Sequence, residues 1–109
     1  MTANFKQKRI ESKRWTDAAR GQECAFEFPD ICSYNPEQTV FCHAPSEGKG
    51  MGIKSDDIWG ADGCHECHRL IDNLAFFEQT GFAKEDLYFF WQRAIHKTLR
   101  NRYERNIKW

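Results

Sequence analysis

The chain has 109 residues, room for one domain with a modest core and too few for a large one. Sixteen Lys/Arg balance sixteen Asp/Glu, so net charge selects no partner class, and no apolar run reaches the length of a membrane span. The charges are nevertheless segregated. Residues 1–20 carry six basic against two acidic residues, 93–109 six against one, and 21–92 four against thirteen, so an acidic centre suited to one or two divalent cations lies between basic ends.

The opening "MTANFKQKRIESKRW" lacks the apolar stretch of an export signal, which points to a cytoplasmic, reducing compartment. Residues 1–14 read as a basic, mobile N-terminus. "WTDAARG" predicts a short helix with Thr16 as N-cap and Gly21 as its stop. "CAFEFPDIC" alternates and then turns at Pro29-Asp30, which predicts a short strand, and Thr39–His43 in "TVFCHA" predicts a second. "PSEGKGMGIKSDD" is a loop by its glycines and proline, and "IWGADGC" predicts a returning third strand. From Cys67 the pattern turns helical, with Leu70, Ile71, Leu74 and Ala75 on one face. The segment 82–108 predicts a long amphipathic helix whose core stripe is Leu87, Phe90, Trp91, Ala94, Ile95, Thr98 and Tyr103. The fold class expected is α+β with little sheet, in one domain, with a core over 15–75.

Five cysteines in a reducing compartment read first as metal ligands. Cys64-x2-Cys67 has the knuckle spacing that lets two thiolates reach one ion, and Cys24 and Cys32 bracket a short segment that can fold back on itself. Four thiolates from two separated pairs predict a closed structural Zn2+ site, which would staple a small core. His65 is an alternative ligand, and Cys42 is the leftover thiol. "CHECH" also matches the C-x-x-C-H haem attachment pattern. Against that stand the missing export signal and the idleness in which it would leave Cys24 and Cys32.

His68 and Asp72 are four apart on the predicted helix, so they share a face and can hold one divalent cation with open positions. His43 ends a predicted strand. A histidine that deprotonates water beside a cation that stabilises phosphate charge is the chemistry of metal-assisted phosphodiester cleavage. In "GKGMGIK", Lys49 and Lys54 could meet DNA phosphates, beside the backbone N–H groups of Gly48, Gly50 and Gly52. No recognition helix is evident, so weak sequence preference is expected.

The order strand ending in His43, glycine-rich loop, "DDI" at 56–58, return strand and "CHECHRLID" resembles the ββα-metal finger of HNH nucleases. More closely, "AARGQEC…C…CHA…GKGMGIKSDDIWGADGCHECHRLID", residues 18–72, is similar to the small prophage-encoded YbcO-like proteins assigned to that superfamily. The resemblance implies an HNH-type, metal-dependent DNA endonuclease from a phage or prophage, acting in the bacterial cytoplasm. It implies His43 as general base, Asp57 in place of the motif's central Asn, and His68 and Asp72 as ligands of a catalytic divalent metal (Mg2+, Mn2+, Ni2+ or Zn2+). Cys42 stands where the motif often has a metal-binding Asp or His. The rival reading is a non-catalytic, zinc-stabilised nucleic-acid-binding module, an accessory to phage or host recombination proteins.

Overall fold

The computed structural model describes residues 9–45 and 55–109. Lys49, Lys54 and the loop glycines 48, 50 and 52 lie outside the described residues.

The first helix, α1, is Lys13–Asp17. Its cap is Ser12, whose hydroxyl accepts from Trp15 N at 3.3 Å. Thr16, expected as the cap, sits inside the helix, its hydroxyl turned back to the Lys13 carbonyl. Gly21 closes the following turns with φ +74°, in the left-handed region that suits glycine.

No strand forms over 24–32. Glu27 (φ 48°) and Asp30 (φ 63°) are left-handed, which interrupts any extended run. One ladder-like bond remains, from Ala25 N to the Asp62 carbonyl at 2.8 Å. The segment is held by its aromatics instead. Phe26 meets Trp91 edge-on at 4.9 Å, and Phe28 lies 4.5 Å from Phe90 and 5.9 Å from Phe77.

After a 3-10 turn at Pro36–Gln38, strand β1 (Val40–His43) pairs antiparallel with β2 (Gly60–Gly63). The register sets Val40 opposite Gly63 and His43 opposite Gly60. A Cβ at Gly60 would run into the Cys42 carbonyl, so only glycine allows this approach.

Helix α2 (His65–Ile71) begins at Cys64, and α3 (Leu74–Gln79) follows almost at once. The single helical face expected from Leu70 to Ala75 is therefore broken. Asp72 caps the end of α2, and the Asn73 side chain caps α3 by accepting from Phe76 N at 3.1 Å. Leu74 and Ala75 end exposed, while the change of direction sends Phe77 into the core.

The last helix, α4 (Lys84–Glu104), lies across β2 and buries Trp91, Ala94, Ile95, Thr98 and Arg102. Tyr103, expected in that stripe, is 85% exposed. Its place is taken by Arg102, fully buried, which forms a bidentate pair with Asp62 of β2 at 2.6 and 2.7 Å. The guanidinium also donates to the Trp15 carbonyl at 3.2 Å and lies over the Trp15 ring. Two ions are thus buried with most of their hydrogen-bonding capacity satisfied. Among the described residues no helix is long and apolar enough to cross a membrane.

Candidate metal centre and histidine–carboxylate cleft

The Sγ atoms of Cys24, Cys32, Cys64 and Cys67 all lie within 4.8 Å of one another, and the cluster is almost wholly buried. The reason is local. The left-handed residues 27 and 30 fold the first pair back, while Cys64 at the N-cap of α2 places Cys67 one turn later. A tetrahedron with metal–sulfur bonds of about 2.3 Å has edges of about 3.8 Å. The Cys32 and Cys64 sulfurs are 3.8 Å apart. Backbone N–H groups of Ser33 and Cys67 point at Cys64 Sγ, and that of Tyr34 at Cys32 Sγ, as thiolates require.

Packed this closely, Cys24, Cys32 and Cys67 compete for protons. The hydrogen bond from Cys67 holds Cys24 down to about 5, and the same contact pushes Cys67 far up. Burial, with the neighbouring sulfurs, pushes Cys32 up to about 12. A divalent cation would relieve this competition, so the donor set fits a soft, tetrahedral ion such as Zn2+. Cys42 is outside the cluster. Its thiol is buried beside Gly63 and is driven up chiefly by burial. His65 is exposed and also outside it.

A different arrangement surrounds His43 at the end of β1. Its Nε2 lies 2.8 Å from Asp57 Oδ1. Asp57 is buried and also accepts from Arg9 Nη2 at 2.5 Å and from Ser12 N at 2.8 Å. Burial alone would raise the Asp57 carboxyl, but the bonds from His43 and Ser12 and the Arg9 cation outweigh it and hold it below its ordinary value. An ionised carboxylate only accepts, so the ring donates to it from Nε2. His43 is about a quarter exposed, in an open cleft of about 470 Å³ that Arg9, Lys13, Arg20 and Phe41 also line.

His68 and Asp72 meet on α2, Nε2 to Oδ2 at 3.1 Å, with both side chains open to solvent. They are not among the residues lining the His43 cleft. The structure thus brings the four cysteines together, joins His43 to Asp57 and His68 to Asp72, and keeps the last pair out of that cleft. Sequence reasoning passed over Arg9 and Arg102. For Arg102 a signal was available, since positions 91, 95, 98 and 102 continue the helical register. For Arg9 none was, because its partner lies 48 positions away.

A family model described as "Putative nuclease YbcO" matches residues 13–105. The curated relatives of that name from Escherichia coli K12 and from Enterobacteria phage 82 are each 41% identical over 69 residues, 62% of this chain and 72% of theirs. A solved structure, described as a putative bacteriophage protein from Escherichia coli K-12, shares the fold with a TM-score of 0.61 at 24% identity. That match covers 82% of this chain and 95% of the other. Matched by the family model over most of its length, the chain belongs to the YbcO family.

Proposed function

We propose that this chain is a metal-dependent, HNH-type nuclease that hydrolyses DNA phosphodiester bonds with little sequence preference. The observation that carries the reading is the His43–Asp57 bond of 2.8 Å in the lining of an open cleft. With its proton on Nε2, His43 can take a proton from water at Nδ1, and Asp57 then faces the imidazolium it has helped to form. Lys13 and Arg20 line the cleft and would meet phosphate oxygens there. The family's printed name, a nuclease, agrees with that chemistry. His68 and Asp72 would hold the catalytic divalent cation, Mg2+, Mn2+, Ni2+ or Zn2+, whose contribution when bound is to stabilise charge on the phosphoryl oxygens. The four cysteines would hold structural Zn2+ and take no part in the reaction.

One observation favours a second reading, a zinc-stabilised nucleic-acid-binding or recombination accessory module. The His68–Asp72 pair does not line the His43 cleft. One set of measurements separates the two. On single-stranded, duplex and branched DNA with each metal, wild type should cleave, and His43→Ala should lose about 10²–10⁴ of the rate. That variant should bind DNA as before, with the same steep salt dependence. His68→Ala and Asp72→Ala should lose an exchangeable metal by calorimetry while keeping the tightly held zinc. A zinc-loaded wild type inert on every substrate and metal establishes the accessory reading instead.

A further inference from the structure

We propose that Arg9 is a positioning residue of the His43–Asp57 pair, and that residues 9–12 form a strap that aims the pair from the far side of the carboxylate. The inference rests on the nuclease reading only for its consequence in cleavage; the contact itself is testable without it.

The strap is bonded along its length to residues 55–57. Asp57 N donates to the Ile10 carbonyl at 2.8 Å, Ile10 N to Asp56 Oδ1 at 2.8 Å, and Ser12 N to Asp57 Oδ2 at 2.8 Å. Arg9 uses all three guanidinium nitrogens on three separate acceptors. Nε donates to the Ser55 carbonyl at 2.9 Å, Nη1 to Glu11 Oε1 at 2.9 Å, and Nη2 to Asp57 Oδ1 at 2.5 Å. A planar fork tied at three points has one orientation, which a lysine ammonium could not reproduce.

The oxygen that Arg9 reaches is the same Oδ1 that receives the His43 Nε2 proton. Two consequences follow. The cation adds to the His43 and Ser12 bonds in favouring the ionised Asp57, the form that accepts the proton on Nε2. The triple anchorage also fixes the direction from which Oδ1 meets the ring. Several charged groups line the same cleft: Glu11 from the strap, Lys13 and Asp17 from α1, and Arg20 from the turns after it. Of these and Arg9, only Arg9 bonds the Asp57 carboxylate directly.

NMR on the full chain tests the proposal, with thermal melts as a control for folding. In Arg9→Gln the Asp57 carboxyl, followed by 13C, should titrate at higher pH than in wild type. The His43 Nε2 proton should exchange about tenfold faster, the factor that one ordinary hydrogen bond represents. Arg9→Lys should restore the Asp57 titration, because the charge returns, but not the slow exchange, because the fork does not. In cleavage, Arg9→Gln should lower kcat about ten- to hundredfold with KM unchanged. The acid limb of its pH–rate profile should move to higher pH, which a merely structural strap would not cause.

A folded Arg9→Gln with wild-type Asp57 titration and wild-type proton exchange overturns the proposal. Should that variant fail to fold, Arg9→Lys decides alone, and retention of slow exchange there overturns it. Shifted NMR signals in a protein whose wild type cleaves nothing support the positioning role and remove the nuclease reading.

Discussion

The cysteine cluster and the His43 cleft draw on overlapping residue types and are built in opposite ways. In the cluster four identical donors face inward, almost wholly buried and within 4.8 Å of one another, leaving no position for water or substrate. In the cleft one carboxylate is satisfied from three sides, while the imidazole beside it stays about a quarter exposed. A closed set of ligands ties segments together, and an open one leaves capacity for a reaction. In a small domain the two tasks need different sites, because a group that holds the fold together cannot also change partners. The buried Asp62–Arg102 pair belongs with the cluster in this respect, since its two ions face each other in the core.

The comparison breaks most visibly at the cluster. Purified chain should carry about one tightly held zinc, and Cys67→Ser should lose both the metal and the cooperative melt. Apparent binding free energies at such sites, about 10–16 kcal/mol, rival the stability of a whole domain. A Cys67→Ser variant with full zinc by elemental analysis and a normal melting transition would remove the cluster from the fold's account.

A smaller loss is expected at the buried ion pair. Arg102→Met strands the Asp62 carboxylate in the core and should cost about 3–5 kcal/mol in denaturant unfolding, with the zinc retained. Replacing Asp62 by Asn in the same chain should recover part of that loss, because the stranded charge is gone. No recovery would mean that the pair matters through packing rather than charge.

The smallest stability effect belongs to the cleft and appears only in acid. Asp57 is held below its ordinary 3.8 in the folded chain, so its ionised form favours folding. That contribution is complete above the unfolded value and disappears as pH falls through the folded one, below about 4. Wild type should therefore lose stability below about pH 4 more steeply than Asp57→Asn, as followed by melting temperature. Equal slopes would show that the carboxylate is not held in this way. Activity should rank the other way round, with the cleft variants that melt normally losing the most.

The sequence by itself determined what depends on near neighbours. Two residues between Cys64 and Cys67 suffice to bring both sulfurs to one side of a helix start, and β-branched and aromatic residues around His43 suffice for a strand. The 3.6-residue period over 87–98 sufficed for α4. Tertiary structure decided what depends on distant partners. Arg102 goes inside and Tyr103 outside because Asp62, forty positions away, waits in β2 for a cation, and an apolar stripe read along one helix cannot see it. Residues 24–32 abandon the strand that their alternation suggests, since Phe26 and Phe28 gain more by packing on α3 and α4 than an edge strand offers. Asp57 could be placed in a motif from the sequence, but its chemistry is set by Arg9 and Ser12, which reach it only once the chain has closed. Local spacing places the donor atoms; burial and long-range charge decide which of them remain free to react.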